Sequence, residues 1–177
     1  AVFQQGELDG ACGLYSLIMA LNLSGLIDYC FDGARPPVNT SLGKLMRQLD
    51  DVPNLMPQGI TVFRLKKMMK NSYPKVTTEI CRARGLEVFD FTVDHLFKGH
   101  PVILGLHSSD GYGHWVTAAG LEYVSDIPTE DEDGYAQTTE DTYDPDRIFL
   151  LDSSDHYTPY CLWNNFLFKP QNVRGRF

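Results

Sequence analysis

The sequence predicts a single α+β domain in which helices come first and an antiparallel sheet comes second. Three observations carry this. Segments of helical periodicity fill the chain up to residue 73, β-branched and aromatic segments dominate after Pro74, and 177 residues suit one compact domain or at most two small lobes. The expected division is a helical half at about 1–73 and a sheet half at about 74–177, with an acidic insertion at 125–146.

In chain order, LYSLIMALNL (14–23) has high helix propensity and puts Leu14, Leu17, Ile18 and Leu21 on one stripe, with Gly25 as the stop. This helix starts within a residue or two of Cys12, where Asp9, Gly10 and Gly13 allow a tight entry. A Pro- and Gly-rich connection at 31–40 leads to two short helices, SLGKLMRQLD (41–50) and ITVFRLKKMMKNSY (60–73), whose Leu and Met spacing reads as core packing. Strands are expected at 76–80, 86–92, 101–108, 114–124, 147–153 and 161–168, interrupted by a short helix around 93–98. No internal repeat or linker is visible.

Composition narrows the function classes. With 43% hydrophobic and 12% aromatic residues the chain has enough apolar surface to offset chain entropy. No run reaches the ~18 apolar residues of a membrane helix, and the N-terminus lacks a signal-peptide pattern, so a soluble domain without a membrane span is expected. The chain begins without Met, which reads as a domain taken from a longer or processed protein. Nine of the 23 acidic residues lie in 125–146, which holds no Lys or Arg; the remainder is close to neutral, and nothing suggests a nucleic-acid surface. That stretch is longer than a hairpin loop needs and reads as a solvated insertion, with a substrate-excluding flap or partner-binding loop as the other roles open to it. The four cysteines, Cys12, Cys30, Cys81 and Cys161, have no metal-ligand spacing, and a free Cys12 leaves room for at most one disulfide.

The chemistry centres on GELDGACGLYSL (6–17). A thiol is a nucleophile as its thiolate, and the partial positive charge of a helix N-terminus favours that form; the same N–H groups suit an oxyanion formed during acyl transfer. Such a nucleophile needs a base. Among His95, His100, His107, His114 and His156, the best placed is His114, which opens a strand after Gly111 and Gly113; His107, closing the preceding strand, is second. A third group must fix the imidazole tautomer. Asp152 ends the strand IFLLD and reaches His114 if that strand pairs antiparallel with 114–124, whereas Asp155 sits in a turn-like SSDHY. Gln4 and Gln5 are candidates for a further oxyanion donor.

The order Gln, Cys-Gly at a helix start, His-Trp on a strand and Asp after the next strand resembles the papain-like cysteine peptidase superfamily. Within it, Gln5, Cys12-Gly13, the block HLFKGHPVILGLHSSDGYGHWVTAAG (95–120) and IFLLDSS (148–154) are most similar to bacterial C39-like peptidases. The resemblance implies a papain-like fold with Cys12 as nucleophile, His114 as general base and acid, Asp152 as orienting residue and Gln5 in the oxyanion hole. The family's Gln commonly stands six residues before its Cys, where this chain has Gly6, so Gln4 stays open beside Gln5. Ser153 follows Asp152 where C39-like members often have Pro.

The expected activity is cleavage of a peptide or protein amide bond without metal or organic cofactor, in a bacterial effector or toxin domain, secreted or delivered as part of a larger protein. A protein or peptide substrate and an inhibitor or immunity protein are the expected partners. The same triad also serves a deamidase, a transglutaminase or a cell-wall amidase. The non-enzymatic alternative is an inactive papain-like binding module that uses the acidic loop with Tyr112, Tyr135 and Tyr143.

Overall fold

Apolar and small side chains surround the segment after Cys12, and it folds as the helix α1 (Cys12–Leu23), buried well beyond one stripe. The computed structural model describes residues 11–28, 35–52, 59–107, 113–123, 145–155 and 163–170. Gln4, Gln5, Cys30, Tyr112, Tyr135, Tyr143, His156 and Cys161, and all of the acidic stretch except Pro145 and Asp146, lie outside the described residues. Beside Leu17, Ile18 and Leu21, α1 buries Ser16, Met19 and Ala20, because it is packed on more than one side. It ends as expected at Gly25, whose φ of 68° is a left-handed conformation, and the Leu26 N–H returns to the Leu21 carbonyl at 3.0 Å.

The next two helices, α2 (Ser41–Asp50) and α3 (Val62–Ser72), each start at a threonine cap. Thr40 Oγ1 accepts from the Gly43 N–H at 3.0 Å, and Thr61 Oγ1 from the Arg64 N–H at 3.4 Å. Their inward residues Leu45, Leu49, Leu65, Met68 and Met69 form one core cluster with Leu17, Ile18, Met19 and Leu21 of α1. The Leu and Met spacing of both segments is therefore core packing.

Two expected strands are corrected. Residues 86–92 are not a strand; with 93–97 they form a single helix, α4 (Leu86–Phe97). Val88, Phe89, Val93 and Leu96 lie at helical spacing and pack on one side of the sheet, and that burial overrides the β propensity of Val, Phe and Thr. Thr92 satisfies its hydroxyl by donating to the Val88 carbonyl at 2.7 Å, and Gly85, at φ 58°, supplies a left-handed turn into the helix. The half beginning at residue 74 thus contains a helix as well as the sheet. Residues 76–80 form no regular element; among the described residues they join none of the strands of the sheet.

The sheet is an antiparallel meander of β1 (Val102–His107), β2 (Gly113–Tyr123), β3 (Pro145–Leu151) and β4 (Asn165–Phe168), ordered β1-β2-β3-β4. β4 is shorter than expected; within the described part of 161–168, Trp163 and Asn164 precede it outside the ladder. Val116 and Ala118 of β2 pack with Phe89 and Val93 of α4, while Ala119 joins the α1 cluster. Thr117 Oγ1 donates to the Ser16 carbonyl at 2.9 Å, a buried bond that fixes α1 across β2. The chain is therefore α+β, with four helices and four antiparallel strands among the described residues.

Phe89 is 1% exposed at the centre of the α4 interface. Phe89→Ala is expected to cost about 3–5 kcal/mol of stability, read as a lower denaturant midpoint, because it leaves a cavity between helix and sheet.

Candidate active site

The first turn of α1 contains Cys12, and Ala11 at its N-cap provides no side-chain hydrogen bond to the helix N–H groups. The following residue has to be small. A Cβ on Gly13 would run into Ile60 Cγ2 and come within 3.1 Å of Trp115 Cδ1, and the Trp115 ring is itself fixed by Nε1–H donating to the Ile60 carbonyl at 3.0 Å. Gly13 thus lets α1 settle against β2, so that the thiol lies beside the strand that carries His114. Gly13→Ala is expected to cost about 1–3 kcal/mol and to slow Cys12 alkylation through displacement of the helix start, measured by thermal melts and mass spectrometry.

His114 is the second residue of β2, and its imidazole and the Cys12 thiol are hydrogen-bonding partners. Its Nε2 lies 2.7 Å from Asp152 Oδ1. The strand register brings the last pair together: Thr117 stands opposite Leu151, so Asp152 leaves the end of β3 alongside the start of β2. The side chain of Asp152 is almost fully buried and that of His114 about one quarter exposed, at 6% and 26%.

Polar neighbours hold Asp152 in place. Ser154 donates its N–H and hydroxyl to Oδ1 at 2.9 and 2.8 Å, and Asn165 Nδ2 donates to Oδ2 at 3.3 Å. Asn164 fastens the backbone: its Oδ1 accepts the Asp152 N–H at 2.7 Å, and its Nδ2 donates to the Asp152 and Asp155 carbonyls at 2.6 and 3.3 Å. Sequence reasoning missed Ser154, Asn164 and Asn165. The one local signal was the adjacent Asn pair before an apolar strand, the residue type that bridges backbone groups in turns.

The electrostatics follow from these contacts. Burial opposes the Cys12 thiolate and is the largest influence on it. The His114 hydrogen bond, the Trp115 N–H, the imidazole charge and the Gly13 N–H together outweigh burial, and the thiol pKa falls below its ordinary 9.0. Hydrogen bonds to Asp152 and then Cys12 raise His114 from 6.5 to about 9 against the effect of burial. Burial also pushes Asp152 up, but the His114 bond and the two Ser154 donors hold it down from 3.8 to about 2. The shifts in Cys12 and His114 close the gap that in water keeps the proton on sulfur. Their linkage to stability has two signs: the Asp152 contribution is complete above 3.8 and lost as pH falls through about 2, whereas that of His114 is complete below 6.5 and lost as pH rises through about 9.

The other candidates have different surroundings. His95 Nε2 lies 3.6 Å from Glu79 Oε2, with its ring 5.9 Å from that of His100. His107 ends β1, exposed and opposite Gly113. Asp155 follows Asp152 in the turn and gives its carbonyl to Asn164. Gln4, Gln5 and His156 fall outside the described residues. Among those described, no group of three or more His, Cys, Asp and Glu is arranged to hold a metal ion, and no helix is long and apolar enough to cross a membrane. Comparison of the chain with protein-family profiles, with curated proteins and with solved structures returns no match.

Proposed function

We propose that this protein is a cysteine peptidase of papain-like fold that cleaves a peptide or protein amide bond through Cys12, His114 and Asp152. The observation that carries the reading is one chain of contacts: a thiol at a helix start, an imidazole bonded to it, and a buried carboxylate 2.7 Å from Nε2 of that imidazole. Asp152 occupies Nε2, which leaves Nδ1 as the ring nitrogen for the thiol.

In the proposed reaction the Cys12 sulfur attacks the carbonyl carbon, and the resulting oxyanion is held by the Cys12 N–H and the amide of Gln5, or of Gln4. His114 gives its proton to the amide nitrogen as the C–N bond breaks, which releases the amine and leaves a thioester on Cys12. Water then attacks the thioester, His114 takes the water proton, and the carboxylic product departs with the thiolate restored. Asp152 remains ionised and holds the ring through both proton transfers.

The test is mass spectrometry of new termini in a proteome-derived peptide library treated with the protein. New N-termini in a restricted sequence context support a peptidase. Glutamine converted to glutamate with no new termini would indicate a deamidase instead, and turnover of peptidoglycan fragments alone a cell-wall amidase.

A further inference from the structure

We propose that Ser154 is a positioning residue of this site, its hydroxyl bridging His114 and Asp152 as a fourth member of the proton-handling group. The proposal rests on the reading of His114 and Asp152 as the base and its orienting carboxylate. Its physical content is separate, because it concerns what holds those two groups together.

Ser154 Oγ lies 2.8 Å from Asp152 Oδ1 and 3.2 Å from His114 Nε2, while the Ser154 N–H reaches the same Oδ1 at 2.9 Å. The position follows from the fold: β3 ends at Leu151, and the turn that follows Asp152 brings Ser154 back beside Asp152 and the start of β2, where His114 stands. A hydroxyl has one proton and two lone pairs. With the proton donated to Oδ1, a lone pair faces the Nε2–H of the protonated ring, and His114, Asp152 and Ser154 close a ring of contacts. Oδ1 then cannot swing away from Nε2 without also breaking the Ser154 bond.

The remaining restraints leave this task to Ser154. Asn164 holds only the backbone of Asp152, and Asn165 holds only Oδ2, at 3.3 Å. The Ser154 donors are also among the causes that keep Asp152 ionised. The groups acting on His114 are Cys12 from α1 and Asp152 after β3; on the other side β1 brings Leu106 opposite it and His107 opposite Gly113. Ser154 is exposed, so loss of its hydroxyl leaves the core intact.

The test follows the His114 Cε1 resonance by NMR against pH in the wild type, Ser154→Ala and Ser154→Thr, with Cys12 alkylation measured on the same samples. The His114 midpoint is expected to fall by about one pH unit in Ser154→Ala, a tenfold weaker hold on the proton, and to stay within about 0.3 unit in Ser154→Thr, which keeps the hydroxyl. An Ala midpoint equal to that of the wild type overturns the proposal whatever the alkylation shows. A lowered Ala midpoint restored by Thr, with Cys12 alkylating as an ordinary thiol in the wild type, upholds the role of Ser154 and contradicts the peptidase reading. A fall of equal size in Ala and Thr also overturns the proposal, because the hydroxyl would then not be the cause.

Discussion

Replacing Cys12 with alanine is expected to abolish amide hydrolysis, with a loss of at least about 10⁴-fold in kcat/KM, because no other group then forms the acyl-enzyme. The fold should survive. Cys12 is buried in the first turn of α1, and alanine both fits and favours the helix. The rate of new-terminus formation, compared with an unchanged thermal melt, checks both halves of the expectation. The variant also separates enzyme from binding module, since an interaction that needs no chemistry would persist in Cys12→Ala.

Asp152→Asn is expected to lower kcat/KM by about 10²- to 10⁴-fold with little change in shape, since an amide cannot stabilise the imidazolium or hold its tautomer as a carboxylate does. The pH profile makes this prediction more specific. In the wild type the low-pH limb follows ionisation of Cys12, below the ordinary thiol value of 9.0, and the high-pH limb follows loss of the His114 proton at about 9. Asp152 is the largest cause of the upward shift in His114, so Asp152→Asn should move the high-pH limb down toward 6.5. Rates against pH for the two proteins measure this directly.

Much of the architecture was legible because its signals are local. The apolar run after Cys12 and the threonine-capped Leu and Met helices have a helical period that burial enforces, and the strands stand out by their β-branched and aromatic residues. The approach of Asp152 to His114 was legible because an antiparallel pairing of their two strands fixes which ends meet. Residues 86–92 misled for a tertiary reason: Val88, Phe89 and Thr92 favour a strand locally, but the sheet needs a helix over Val116 and Ile148, so the helix expected from about residue 93 begins at Leu86. Residues 76–80 have strand-like composition but pair with none of the strands among the described residues. The surroundings of Asp152 were hidden because Ser154, Asn164 and Asn165 converge only once β3 and β4 pair, and no sequence period records that convergence. The Cys-Gly pair was visible, but its cause, the approach of Ile60 and Trp115 to Gly13, is a long-range contact.

The central claim is that Cys12 is a nucleophile activated by His114. The most direct test is the pH dependence of iodoacetamide alkylation, read cysteine by cysteine by mass spectrometry, in the wild type and in His114→Ala. Fast labelling of Cys12 well below its ordinary pKa of 9.0 is expected in the wild type, with a clear slowing at the same pH in His114→Ala. Labelling of Cys12 at the rate of an ordinary or merely buried thiol in both proteins would contradict that claim.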